Sequence, residues 1–505
     1  LKLPPSILTG LLPHQPGPAQ HLADLWEHTP HLLDGSETGT GKTYVAAAVL
    51  AARPLPTLVL CPKIVVSAWK EAANHFGDSV SSMGIEMVRT GRTPFGRWKN
   101  QPPPGYLSEK FFKCQCCQRI VDLDKFEPCY AHHLGIHCLI PKKKEWRYGE
   151  FIWNRAVKRI VFDEAHRMGG IDTLNGRMLV SAKRQGIQTL SLTATPACSP
   201  LNLWGLGELL GLHAGGPDFY RWARRHRCGT VPGMQGFRWL AGADKQVGIM
   251  RDIHHEIFPS RGVCVRTSDI PGFPERIVTA DCYDIENPQV VDSLYRSMAD
   301  ALAALEEKKS FDADPEHPLT KILRILQKLE LMKVPVAEEL TRDYLAKGYS
   351  VALFVNYRQT VDELCARLHT TCLIDGRQTG SPAARQECIE NFQSNRSRVI
   401  VANNEAGGVA VSLHDKHGGH PRVGLVMPMH KVTSLKQVLG RLPRVGGKSP
   451  AIYKVILAAG TYEEQMRRTL NKRVNSLDSL LTGDFFPDFM RLSKASTLDL
   501  LEEKL

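Results

Sequence analysis

The sequence predicts an α/β protein made of two parallel sheets flanked by helices, with a small cysteine-rich insertion in the first half. Three observations carry this. Short apolar runs such as TLVLCP (Thr57–Pro62) and VALFVNY (Val351–Tyr357) have no polar interruption, as strands buried on both faces require. They alternate with longer stretches of helical spacing. The alternation lapses over 263–318 and then restarts, so the 505 residues divide into two similar halves.

Near the start, LLPHQPGPAQHLADLW opens on prolines and continues with helix-spaced Leu22, Leu25 and Trp26. His31 to Val45, HLLDGSETGTGKTYV, reads as a strand end, a Gly-rich loop and the first turns of a helix. Gly39 and Gly41 let the backbone curl until several N–H groups converge on one anion, at which the next helix aims its positive end. Lys42 then places an ammonium on the outer phosphates of a nucleotide, and the Thr43 hydroxyl suits Mg²⁺. Ser36 stands where the strict loop pattern has its first glycine. After TLVLCP, the stretch IVVSAWKEAANHF has helical spacing. In VKRIVFDEAHRM, Ile160 to Phe162 form a buried strand, with Asp163 and Glu164 at its carboxyl end, where α/β sheets place ligands. Asp163 suits an Mg²⁺ ion held through its water shell, and Glu164 suits the base that orients and deprotonates an attacking water. Ser191 to Thr195 end another strand. RWARRHR, Arg221 to Arg227, interleaves cations with Trp222, as a nucleic-acid contact or an exposed basic helix does.

Between Thr90 and Gly149 the alternation breaks. Five of the 13 cysteines lie between Cys114 and Cys138. Cys114 and Cys117 have C-x2-C spacing, and Cys129 with His132 forms a C-x2-H pair, so one tetrahedral zinc is expected. RIVDLDKF is the stretch expected to fold back as the hairpin between the pairs. Cys116, His133, His137 and Cys138 leave the ligand set open. PKKKEWR follows with Lys142, Lys143, Lys144 and Arg147 beside Trp146, a phosphate-contacting face or a solvated loop.

RTSDIPGFPERIV, Arg266 to Val278, is proline-punctuated and reads as a crossing between domains. Helical patterns fill Val290–Leu305 and Leu319–Leu331. VALFVNY, RVIVANNEAGG and VGLVMP then read as strands. In SLKQVLGRLPRVGG, helical spacing puts Gln437, Arg441 and Arg444 on one face. The expected divisions are a first domain over 1–262 with its insert at 106–148, a linker and helical segment over 263–318, a second domain over 319–480 and a tail over 481–505.

LLPHQ, SETGTGKT, TLVLCPK, DEAH, LTATP, IDG, AGGVAVSL and QVLGRLPR occur in the order found in superfamily 2 nucleic-acid-dependent ATPases, which the chain resembles over nearly its whole length. Within them it looks most like the Swi/Snf-type translocases of double-stranded DNA. LTATPACSPLNLWGL is similar to their LTGTP…NLxELW, QVLGRLPRVGG to their QxxGRxxRxGQ, and TYEEQMRRTLNKR to the helix after their second core domain. It departs from them in Ser36, in TAT for TGT, in short inter-motif regions and in the cysteine-rich insert. The resemblance implies two tandem RecA-like domains with a zinc-binding insertion in the first, and ATP in the cleft between them. It implies that Gln15 reads adenine and that Ser36, Glu37, Thr38, Gly39, Thr40, Gly41, Lys42, Thr43, Gly407 and Gln437 line the nucleotide. Lys42, Asp163, Glu164, Arg441 and Arg444 form the catalytic set, the arginines acting across the cleft to neutralise the transferring phosphate. ATP, Mg²⁺ and Zn²⁺ are the implied cofactors and duplex DNA the implied track. Compact forms of this kind are familiar in bacteria and phages, which places the chain in the cytoplasm of a bacterial or phage-infected cell. Replication, repair or recombination proteins are the partner classes.

Composition agrees with this. The net charge of +12 favours a polyanionic partner. No run of about 18 apolar residues spans a bilayer. LKLPPSILTG lacks the charged and apolar regions of a secretory signal, and the clustered cysteines suit metal in a reducing compartment. Two other outputs of such an ATPase stay open: strand separation on DNA or RNA, and a zinc-bearing DNA scaffold whose affinity ATP controls. A nuclease motor subunit is a third relative of this kind, but the chain carries no separate nuclease motif.

Overall fold

The computed structural model describes residues 2–99, 111–113, 120–122, 149–170, 173–231, 237–307, 318–380, 382–404, 411–429, 432–461 and 463. The first sheet has six parallel strands: β1 (His31–Asp34), β2 (Thr57–Cys61), β3 (Ser81–Gly84), β4 (Arg159–Asp163), β5 (Gln188–Leu192) and β6 (Gly262–Val263), in the spatial order β6-β1-β5-β4-β2-β3. Because successive side chains leave a strand on opposite faces, each apolar run feeds two cores. Leu32, Val59, Cys61 and Val161 pack with Leu22, Ala46, Val49 and Trp69 from the helices on one side. Leu33, Leu58, Leu60, Ile160 and Phe162 pack with Met178, Leu179, Leu206 and Ile253 on the other. In β2 and β4 an alternating polar residue would bury an unpaired group, which is why those two runs are continuous.

The second sheet repeats the design with β7 (Arg276–Tyr283), β8 (Ser350–Val355), β9 (Leu373–Ile374), β10 (Val399–Asn403), β11 (Arg422–Val426) and β12 (Ala451–Ala458), in the order β7-β12-β11-β8-β10-β9, again all parallel. Ala352, Phe354, Ile400 and Ala402 face one core, and Val351, Leu353, Val399 and Val401 the other. The predicted architecture of two α/β domains with parallel sheets is the observed one. Helices Pro288–Glu307 and Pro318–Leu331 stand where helical spacing puts them, and pack on this domain through Ile285, Val291, Tyr295, Ile325 and Leu329.

One expectation changes. The expected linker over 263–318 contains β7, whose eight residues pair one-for-one with Ala451–Ala458. It is therefore part of the second domain from Arg276 onward. The prolines at 271 and 274 lie just before it and hid the strand, because Pro reads as a break wherever it falls. In the insert, Ile120–Asp122 pairs antiparallel with Phe111–Lys113, and the other residues of RIVDLDKF lie outside the described residues. Cys114, Cys117, Cys129, His132, His133, His137 and Cys138 lie outside the described residues, as do Gly407, Lys142–Lys144 and the tail 481–505. Among the described residues no three His, Cys, Asp or Glu side chains form a metal-binding group, and no helix is long and apolar enough to cross a membrane.

Candidate active site

Three adjacent strands, β1, β5 and β4, deliver their carboxyl ends to one place. β1 runs into the Gly-rich loop, β5 into Thr193–Thr195, and β4 into Asp163 and Glu164. The loop turns through Gly39 (φ 92°) and Gly41 (φ 84°), left-handed values that favour glycine, and the helix Lys42–Ala52 begins directly after it. Its curl is fixed from inside. The buried Asp34 carboxylate accepts from the Ser36 N–H at 2.9 Å, and the Thr40 hydroxyl donates to the Glu37 carbonyl at 2.9 Å. Burial pushes the Asp34 carboxyl up, opposed by the Lys42 charge. The Lys42 ammonium donates to the Ser36 and Glu37 carbonyls at 2.7 and 3.0 Å. Burial pulls its pKa down, while Asp34, Glu164 and Asp163 push it back up.

The acidic pair is equally constrained. Glu164 sits at φ 54°, ψ 47°, a left-handed conformation that costs a non-glycine residue about 1–3 kcal/mol. That turn points its N–H at Asp163 Oδ1, 2.9 Å away, while Asp163 Oδ2 accepts from the Trp69 indole at 2.8 Å. The two carboxylates cannot share one environment, and they separate. Burial and then the neighbouring Glu164 charge raise Asp163. Burial also works against Glu164, but the His166 hydrogen bond and charge, Arg441 and Lys42 outweigh it, so Glu164 is held low and ionised.

The second domain completes the site. Gln437 Nε2 donates to Glu164 Oε2 at 3.3 Å and lies 3.3 Å from His166 Nε2. The other ring nitrogen of His166, Nδ1, faces Thr193 Oγ1 at 3.1 Å and Glu164 Oε2 at 3.3 Å. Thr193 in turn accepts from the Thr195 N–H at 3.0 Å, so one polar chain runs from Gln437 through the DEAH histidine into LTATP. Arg441, 3% exposed, donates to the Val411 carbonyl at 3.4 Å, and the Nε atoms of Arg441 and Arg444 are buried with no partner among the described residues. Burial depresses Arg441 to about 9, and Arg444 and Glu164 act on it in opposite senses. Unpaired buried guanidinium N–H groups beside an ionised carboxylate and a loop lysine are a cradle for a polyanion.

No family model matches the sequence. Over 490 residues the chain is 30% identical to a protein of Acanthamoeba polyphaga mimivirus described as "Putative ATP-dependent RNA helicase L364", covering 94% of this chain and 84% of that one. The chain belongs to the superfamily 2 helicases. Among solved structures, Saccharomyces cerevisiae Dbp5 bound to RNA and ADP BeF3 aligns over 99% of this chain and 96% of its own, at 14% identity and a TM-score of 0.46. A point variant of Dbp5 bound to the same ligands aligns over 95% of each chain, at 12% identity and a TM-score of 0.42.

In this helicase the described residues expected to line the nucleotide do not all point to one place. Gln15, 2% exposed, spends its amide on the loop: Nε2 donates to the Thr40 carbonyl at 3.1 Å, and Oε1 accepts from the Leu12 N–H at 2.9 Å. A Cβ on Gly41 would overlap that amide, so Gln15 also explains the glycine. Glu37 turns outward, its carboxylate accepting from the Thr267 N–H at 2.8 Å and from the Thr267 hydroxyl, which ties the loop to the interdomain crossing. Burial opposes its charge, but Arg276, Lys436 and Thr267 outweigh burial and hold it low. The helix carrying Gln437 ends at Leu439, so Arg441 and Arg444 lie on the loop after it and not on one helix face with Gln437. Pro443 lacks the N–H of a helical residue and disfavours helix at Leu442. Gly440 lies against Thr38 so closely that a Cβ would overlap the threonine side chain. The arginines reach the cleft by this close approach. Trp222 is 1% exposed in the first-domain core, which removes it as a base-stacking residue, although Arg221 beside it remains exposed. Asp34, Trp69 and His166 are site residues that sequence reasoning missed. Of these only His166 carried a signal, as the last letter of DEAH.

Proposed function

We propose that this helicase is a nucleic-acid-stimulated ATPase motor whose two domains close on ATP and whose preferred track is duplex DNA. The observation that carries the ATPase half is the junction at Glu164, where Gln437 of the second domain meets the ionised carboxylate, with Arg441 and Arg444, each with a buried and unpartnered Nε, behind it. The Gly-rich loop N–H groups and Lys42 bind the phosphates. Glu164 accepts a proton from the water that attacks the γ-phosphorus, the bond to the β-bridging oxygen breaks, and ADP and phosphate result. Arg441 and Arg444 neutralise charge on the transferring group. The Thr43 hydroxyl and Asp163 carboxylate are hard oxygen donors that fit Mg²⁺. An ion held there would offset charge on the phosphate oxygens during transfer. Because the second domain supplies Gln437 and both arginines, closure gates the rate.

The duplex DNA half rests on the LTATP…NLW, QVLGRLPRVGG and TYEEQM resemblance and on the charge of +12. Unwinding of RNA is the second reading, favoured by the description of the mimivirus relative. One experiment separates them: ATPase stimulation by duplex DNA, single-stranded DNA and RNA. Duplex DNA is expected to stimulate most, with displacement of a triplex strand but no separation of the duplex. Binding is expected to fall with salt at a logarithmic slope near −0.9 per phosphate neutralised. Strongest stimulation by RNA, or efficient unwinding of a fork, decides for the helicase reading. Slow turnover that no nucleic acid stimulates decides for the ATP-controlled scaffold.

The insert is read as one structural zinc. Cys114 and Cys117 fall between the paired strands Phe111–Lys113 and Ile120–Asp122, and Cys129 with His132, or His133, His137 or Cys138, supplies the second pair. Metal analysis is expected to find about one zinc per chain, lost in Cys114→Ser and Cys117→Ser. Zinc-free protein with wild-type stability removes the site.

A further inference from the structure

We infer that Trp69 is a positioning residue for the ATPase reaction, holding the Asp163 carboxylate in the orientation that Mg²⁺ requires. The inference rests on the reading of Asp163 as the Mg²⁺ residue. Trp69 is fully buried on the helix Val66–His75, packed in the apolar cluster behind β1, β2 and β4. Its single polar atom is spent on one partner, Asp163 Oδ2 at 2.8 Å. The other oxygen, Oδ1, takes the Glu164 N–H at 2.9 Å. The two donors come from different directions, one from a helix 94 residues away in sequence and one from the strained turn next door. Together they fix both torsions of a short carboxylate and leave lone pairs on each oxygen for further contacts. Either donor alone leaves the group free to rotate.

The same helix starts at Val66, one residue after the short turn Lys63–Val65 at the carboxyl end of β2, where Ile64 is 39% exposed. Trp69 is thus about one helical turn from this exposed turn and hydrogen-bonded to Asp163. Phe at this position loses the donor together with one of the two fused rings. Partners that orient a metal-holding group cost about 10–100-fold in metal affinity when removed, and the lower figure applies here because the indole touches one oxygen.

The test reads Mg²⁺ affinity without turnover: binding of a fluorescent, non-hydrolysable ATP analogue is titrated with Mg²⁺ for wild type, Trp69→Phe and Asp163→Ala. In Trp69→Phe the half-saturating Mg²⁺ concentration is expected to rise about tenfold, with affinity in excess chelator unchanged. A purely structural role moves thermal stability and leaves this midpoint alone. Benzothiophene in place of the indole at position 69 exchanges only N–H for S and gives the same readout where the Phe variant does not fold. A wild-type Mg²⁺ midpoint in either form overturns the inference. A wild-type midpoint in Asp163→Ala as well overturns the reading of Asp163 beneath it, so the two failures are told apart.

Discussion

Glu164→Gln is expected to bind ATP as wild type does and to turn it over about 10²–10⁴-fold more slowly, the usual worth of a positioned general base. The amide keeps the length of the side chain and an oxygen that accepts from Gln437 Nε2, so the cleft contact survives. What it loses is the charge that His166, Arg441 and Lys42 hold in place against burial. Nucleotide affinity from equilibrium binding and single-turnover hydrolysis, measured on the same preparation, separate the two effects. Near-wild-type hydrolysis would remove Glu164 from the role of base, and lost nucleotide binding would make it a structural residue of the loop.

Arg441→Ala is expected to cost more. A guanidinium that reaches the transferring phosphoryl group is worth about 10³–10⁵ in rate, and Arg441 is 3% exposed with an unpartnered Nε. Its stimulated turnover should collapse while ATP affinity changes little, because the first domain supplies the phosphate-binding loop. The comparison that checks this is kcat with saturating nucleic acid against the nucleotide Kd. An unchanged kcat with weakened nucleic-acid binding reassigns Arg441 to the nucleic-acid backbone.

What the sequence made legible was local. The Gly-rich loop and the acidic pair each span a few residues whose chemistry is carried by adjacent letters, and β1 and β4 were visible because continuous apolar runs have few other uses. The hidden parts depend on pairing across distance. Trp69 is one tryptophan in a helix until β2 and β4 become neighbours and bring Asp163 to its indole. Asp34 looks like a strand-end residue until the loop folds back over it. Arg441 and Arg444 do not share a helix face with Gln437. Spacing extended the helix through them, whereas Gly440 and Pro443 end it to let the loop touch the first domain. β7 was missed because its partner, β12, lies far along the chain at Ala451–Ala458 and no local pattern announces it.

The abutment of Gly440 on Thr38 has a consequence for how this molecule can change over generations. A methyl group at 440 is accommodated only where position 38 has already lost its side chain, since the overlap involves the Thr38 Cβ as well as its hydroxyl. The two positions belong to different domains and to different motifs, yet position 440 cannot drift alone. Their substitutions are conditional on order, and the permitted route between two working sequences passes through glycine at 38 first. Residues in direct contact are those whose effects fail to add, and here the failure reaches across the cleft that the motor opens and closes. Motif pairs that look independent along the chain are therefore inherited as a unit.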